Sequence, residues 1–145
     1  MKICFDMDGT LANLYGYKAW LEDLRAFKTT PYKVAAPLIN MNTLAKELHR
    51  VQKLGHSIAI VSWGSKVSDT EYLRAVEEAK RFWLKKHLRS VNWDEINVVA
   101  YGTPKSQFKN GDADILFDDE EKNRIEWGNN AHDVHNIIEI LKGVR

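Results

Sequence analysis

Four short apolar runs, at residues 3–5, 58–61, 96–101 and 115–117, alternate along this chain with stretches of helical periodicity. None of the runs alternates with polar residues, which is the pattern of strands buried on both faces of a parallel sheet. Between them apolar residues recur at helical spacing. Tyr17, Trp20, Leu24 and Phe27 form one stripe, and Leu44, Leu48, Val51 and Leu54 a second, with Gly55 as its stop. Tyr72, Val76, Ala79 and Trp83 form a third, and Val134, Ile137, Ile138 and Leu141 a fourth, followed by Gly143. Strands that alternate with helices join through right-handed crossovers, so the expected fold is α/β with a doubly wound parallel sheet. A chain of 145 residues, 44% hydrophobic and 28% charged, predicts one domain over 1–145.

The segment between the first two strands is irregular. Residues 14–56 hold two helical patterns separated by a loop with two of the three prolines, Pro31 and Pro37. That is too short for a second globular domain. It predicts either a small lid over the strand ends or a meandering crossover.

Each apolar run ends in a specific polar group. The first leads into Asp6-Met7-Asp8-Gly9-Thr10, the second into Ser62-Trp63-Gly64, the third into Gly102-Thr103-Pro104-Lys105, and the fourth into Asp118-Asp119. In a parallel sheet these ends share one edge, where ligands of open α/β sheets bind. Crowded carboxylates repel and need a compensating cation, for which Mg²⁺ is suited as a hard, oxygen-seeking ion. The set fits phosphoryl transfer. A carboxylate can attack an anionic phosphomonoester only where the charge on the phosphoryl oxygens is offset. Asp6 is the expected nucleophile and Asp8 the acid/base, with Asp118 and Asp119 on the metal side. Ser62 and Lys105 are the other candidate catalytic groups, and Thr10, Trp63 and Gly64 the candidate substrate contacts. Lys109 competes with Lys105. Lys105 is preferred because it follows the third run by four residues and Pro104 suits the first turn of a short helix.

This constellation resembles the haloacid dehalogenase-like (HAD) superfamily. Asp6-Met7-Asp8-Gly9-Thr10 is similar to its first motif, Ser62 to its second, Lys105 to its third and Asp118-Asp119 to its fourth. The resemblance implies a Rossmann-like core, a Mg²⁺ cofactor, an aspartyl-phosphate intermediate and, usually, phosphatase activity. It implies as metal ligands Asp6, Asp118 and the backbone carbonyl of Asp8, with Asp119 ligating through water or orienting a ligand. Residues 111–119 resemble most the deoxyribonucleotidase branch, with a reduced cap. The expected substrate is therefore a nucleoside 5′-monophosphate. The alternatives are a phosphatase of nucleic-acid terminal phosphates and a non-catalytic phosphate-binding protein.

Other signals are read structurally. A net charge of +1 gives no global pull toward nucleic acid or membrane. The single cysteine, Cys4, is read as core. No apolar stretch approaches a membrane span, and no signal peptide is seen, so the expected location is cytoplasmic. The basic run from Lys80 to Arg89 is read as the solvated face of a helix, and His132 and His135 as surface histidines at a helix start. Oligomeric state is left open.

Overall fold

The computed structural model describes all 145 residues, Met1–Arg145. Five strands, β1 (Lys2–Phe5), β4 (Ser57–Trp63), β5 (Glu95–Val99), β6 (Ile115–Phe117) and β7 (Ala131–His132), form one sheet in the order β5-β4-β1-β6-β7. All its pairings are parallel. From β1 the chain steps outward through β4 to β5, then crosses back to β6 on the other side of β1. The sheet is therefore doubly wound with its switch point at β1, and the crevice at such a point is a ligand site.

Two short strands, β2 (Ala12–Asn13) and β3 (Ala36–Pro37), pair antiparallel outside this sheet. Between them lie a 3₁₀ turn over Leu14–Gly16 and the helices α1 (Trp20–Arg25) and α2 (Thr30–Val34). The remaining helices are α3 (Met41–Lys53), α4 (Thr70–His87), α5 (Glu121–Trp127) and α6 (Ile137–Gly143).

Alternation along the strands sorts the core. Ile3, Phe5, Ile58 and Ile60 face one way and pack with Leu44, Leu48 and Val51 of α3, Trp83 and Leu84 of α4, and Ile137 and Leu141 of α6. Cys4, Ala59, Val61 and Leu116 face the other way under Trp127 of α5. Because α3 belongs to the main core, only part of the 14–56 segment lies over the strand ends. That part is the α1–α2 insertion, whose Leu14, Leu24 and Tyr32 pack on Tyr72, Val76 and Ala79 of α4. Two hydrogen bonds tie it to α4 as well: Tyr72 Oη donates to the Lys28 carbonyl at 2.7 Å and Trp83 Nε1 to the Ala35 carbonyl at 2.7 Å.

Several elements differ from the expectation. The third strand ends at Val99, and Tyr101 and Gly102 form a turn with Gly102 at φ +88°. The proline loop contains α2, because Pro31 in its first turn has the required φ and needs no donor. The 17–27 stripe yields only α1, six residues long. Gly143 ends α6 from inside the helix. A fifth strand, β7, was not anticipated, and it contains His132, which is half-buried against the Phe117 ring rather than at a helix start. His135 is exposed. The basic run is not wholly solvated: Lys80, Trp83 and Leu84 are buried. No helix is long and apolar enough to cross a membrane.

Candidate active site

The site begins where β1 ends. The Asp6 amide donates to the Phe117 carbonyl, which continues the β1–β6 register and sets Asp6 beside Asp118. The chain then folds on the buried Met7, whose carbonyl accepts the amides of Thr10, Leu11 and Ala12. Gly9 sits at φ +81°, and a Cβ there would run into the Asp119 carboxylate, so only glycine lets the two loops approach.

Lys105, 1% exposed, bridges the ends of β1 and β6. Its Nζ donates to Asp6 Oδ1 at 2.9 Å and to Asp118 Oδ2 at 2.7 Å. Asp6 Oδ2 accepts from the Thr10 hydroxyl at 3.0 Å, which also approaches Asp119 Oδ1 at 3.4 Å. Asp118 accepts further from Asn123 Nδ2 and from the Glu120 amide. Lys109 is elsewhere: its Nζ donates to the Trp127 carbonyl and lies 5.3 Å from the Trp127 ring centre.

Carboxylate oxygens of Asp6, Asp118 and Asp119 all lie within 4.8 Å of one another. The Asp8 carboxylate is not among them. It turns to Lys80, whose Nζ donates to Asp8 Oδ2 at 2.9 Å. Asp8 thus has only its backbone carbonyl to offer a cation bound by the trio. Three carboxylates face one ammonium, that of Lys105, because Lys80 is engaged with Asp8. The excess of two negative charges matches one divalent cation. The carboxyls register this excess. Burial, and then the charge of Asp6, raises Asp118 above the ordinary carboxylate value and pushes Asp119 up to about 8. Lys105 loses by burial but gains more from Asp6 and Asp118, and its pKa ends raised. The residues present fit Mg²⁺ in charge, hardness and number.

A cavity of about 300 Å³ opens over Asp6, Asp8, Lys105, Asp118 and Asp119. Its walls are aromatic on two sides. Tyr15 and Trp20 of the insertion form an edge-to-face pair with centroids 5.0 Å apart. Opposite in chain order, Trp63 and Tyr101 lie 4.8 Å apart. Trp63 is tethered by its Nε1–H to the Thr103 carbonyl at 2.8 Å. Gly64 lines the cavity, but its amide is committed to the Val99 carbonyl, and a Cβ there would meet Leu73. Ser62 is fully buried, and its Oγ accepts from Lys80 at 2.6 Å.

Lys80 is therefore the site residue that the sequence reading missed. Its signal was available: Tyr72, Val76, Lys80 and Trp83 fall at i, i+4, i+8 and i+11, so this lysine lies on the apolar stripe of α4.

No model of a protein family matches the sequence, and no curated protein matches it. Among solved structures the chain is similar to the D,D-heptose 1,7-bisphosphate phosphatase from Burkholderia thailandensis. The TM-score is 0.60 at 9% identity, over 98% of this chain and 96% of that one. At that identity the likeness speaks for the architecture alone, a Rossmann-like doubly wound parallel sheet with helices on its faces.

Proposed function

We propose that this protein is a Mg²⁺-dependent phosphomonoester hydrolase that works through an aspartyl-phosphate on Asp6. The observation that carries the reading is the buried Lys105, held between Asp6 and Asp118 at the switch point of the sheet. A structural ion pair has no need of three crowded carboxylates beside an open cavity. A nucleophile that must approach a phosphate dianion does. The similar phosphatase noted above supports the same class of chemistry.

In this reading an Asp6 carboxylate oxygen attacks phosphorus as the bond to the ester oxygen breaks. The Asp8 carboxyl gives its proton to that leaving oxygen. Asp8 then takes a proton from water, whose oxygen attacks the same phosphorus. The bond to Asp6 breaks and inorganic phosphate leaves. Burial raises the Asp8 pKa against the lowering pull of Lys80, which suits a carboxyl that alternately holds and releases a proton. Lys105 offsets charge on Asp6 and on the transferring phosphoryl group. Mg²⁺ held by Asp6, Asp118, Asp119 and the Asp8 carbonyl would supply the remaining neutralisation.

The favoured substrate is a nucleoside 5′-monophosphate. The aromatic walls formed by Tyr15, Trp20, Trp63 and Tyr101 suit a planar leaving group. Tyr15, Trp20 and Tyr32 line and narrow the cavity, which favours a small substrate over the end of a polynucleotide. Phosphate release from p-nitrophenyl phosphate with Mg²⁺ and with excess EDTA tests the reaction. A panel of nucleoside monophosphates tests the substrate. Turnover that persists undiminished in EDTA contradicts the metal reading, and no turnover at all contradicts the enzyme reading.

Trp63→Ala should raise KM for nucleotides and leave it unchanged for small phosphomonoesters. Stacking contributes about 1–3 kcal/mol per base, which is a rise of roughly 5- to 150-fold. Equal effects on both substrate types would assign Trp63 to structure alone.

Mg²⁺ should also raise the melting temperature, and more so at about pH 8 than at about pH 5. The sign follows from Asp119. Its folded pKa lies above its unfolded value, so its contribution to stability is complete in acid and is lost as pH rises toward about 8. The metal replaces the missing proton only where the proton has left. Melting curves with Mg²⁺ and with EDTA at both pH values check this, and Asp119→Asn should flatten the difference. A Mg²⁺ shift that is equal at both values would remove the trio as its site.

A further inference from the structure

Lys80 lies behind Asp8 and does not line the cavity. An ammonium has three protons, and all three are committed: to Asp8 Oδ2 at 2.9 Å, Ser62 Oγ at 2.6 Å and the Trp63 carbonyl at 2.7 Å. The Nζ also lies 5.1 Å from the centre of the Tyr32 ring in α2. The side chain is 1% exposed, while that of Asp8 is 15% exposed and opens on the cavity.

Burying a lysine is costly unless it is paired and its protons are satisfied. An alkyl side chain would complete the buried stripe of α4 at less cost. The burial makes sense as a device for holding something. Ser62 and Trp63 end the rigid strand β4, and Lys80 comes from α4, the longest helix. Asp8 sits instead on a loop, where a single carboxylate could rotate freely. Lys80 joins that loop to both rigid elements.

We propose that Lys80 is a positioning residue, which fixes the Asp8 carboxylate toward the leaving oxygen and uses Ser62 and the Trp63 carbonyl as its own anchors. This rests on the phosphatase reading. It acts through Asp8 because no atom of Lys80 reaches the cavity.

Proton donation matters most when the leaving oxygen is basic. An alkyl phosphate needs the acid, whereas p-nitrophenolate leaves with little help. Lys80→Met should therefore lower kcat/KM, which reports transfer to Asp6 and not the later hydrolysis common to all esters, by roughly 10- to 100-fold on an alkyl phosphate, a fraction of what general acid catalysis supplies in full. On p-nitrophenyl phosphate the loss should stay within about 3-fold. In an Asp8→Asn background, Lys80→Met should add nothing further on the alkyl ester, because the group it positions is gone.

Equal losses on the two esters would overturn the assignment and leave the phosphatase reading intact, as would additive losses in the double variant. Wild-type protein that hydrolyses neither ester with Mg²⁺ would overturn both. Should Lys80→Met fail to fold, Lys80→Arg carries the same comparison. A planar guanidinium keeps the charge but cannot direct three N–H groups tetrahedrally. A selective loss on the alkyl ester supports positioning, and a loss without selectivity overturns it.

Discussion

Asp6→Asn should remove turnover and leave the protein folded. An amide is a poor nucleophile and a weaker ligand for a hard cation, so the loss should go well beyond the ~10²–10³-fold of deleting one electrostatic donor. The surroundings tolerate the change. The amide oxygen can accept from Lys105 in place of Oδ1, and the amide nitrogen can face the Thr10 hydroxyl, which is free to rotate. The substitution also removes the charge that, after burial, raises Asp118 and Asp119. The metal-free variant should thus melt no lower than the wild type at about pH 8. This is a check on folding that is independent of activity. A kcat near that of the wild type in a clean preparation would take the nucleophile away from Asp6.

How far this site could be read from sequence depended on where each residue sits. Strands β1, β4 and β6 are buried on both faces, so they appear as unbroken apolar runs, and the residues after them fall at the sheet edge without further argument. Asp6 and Asp118 were placed in that way, and Ser62 by its position at the end of β4 itself. The fold followed from the same runs, since helices between parallel strands admit few connections. Lys80 escaped because charge on a helix is ordinarily counted as solvent-facing, and two glutamates upstream reinforced that reading. Only its place in the Val76–Trp83 stripe argued otherwise. The strand β7 has two residues, which is too short for any periodicity to show. The α1–α2 insertion was sensed as irregular. Its reach over the cavity is a tertiary fact, set by Tyr32, Tyr72 and Trp83 packing between insertion and α4 rather than by any local pattern. The direction of the Asp8 carboxylate, away from the other three, was likewise invisible, because spacing places a residue at an edge and does not aim its side chain.

The two lysines after β5 should separate cleanly. Lys105→Ala should lower kcat by ~10²-fold or more at saturating Mg²⁺, and Lys109→Ala should lower it little. The motif lysine has to meet both the nucleophile and the phosphoryl group. Lys105 starts a 3₁₀ turn over Lys105–Phe108, whose entry is fixed by Pro104 at φ −59°. That start aims its side chain inward to Asp6 and Asp118. Lys109 caps the end of the same turn in an extended conformation and points instead to the carboxyl end of α5. There its charge meets the Trp127 carbonyl, a favourable place for a cation. The stability costs should follow the same division. Without Lys105 two buried carboxylates face each other uncompensated, and breaking a buried pair costs about 3–5 kcal/mol. Without Lys109 the chain loses one exchangeable contact at a helix end, about 0.5–1.5 kcal/mol. Lys105→Ala should accordingly depend on Mg²⁺ for its fold more than the wild type does, because the metal becomes the only cation left to the trio. Circular dichroism melts of both variants with Mg²⁺ and with EDTA measure that dependence beside kcat. If Lys109→Ala took the larger loss in kcat, the phosphate lysine would be Lys109. The Asp6–Lys105–Asp118 bridge would then be a structural ion pair, and the reading of the site would lose its central observation.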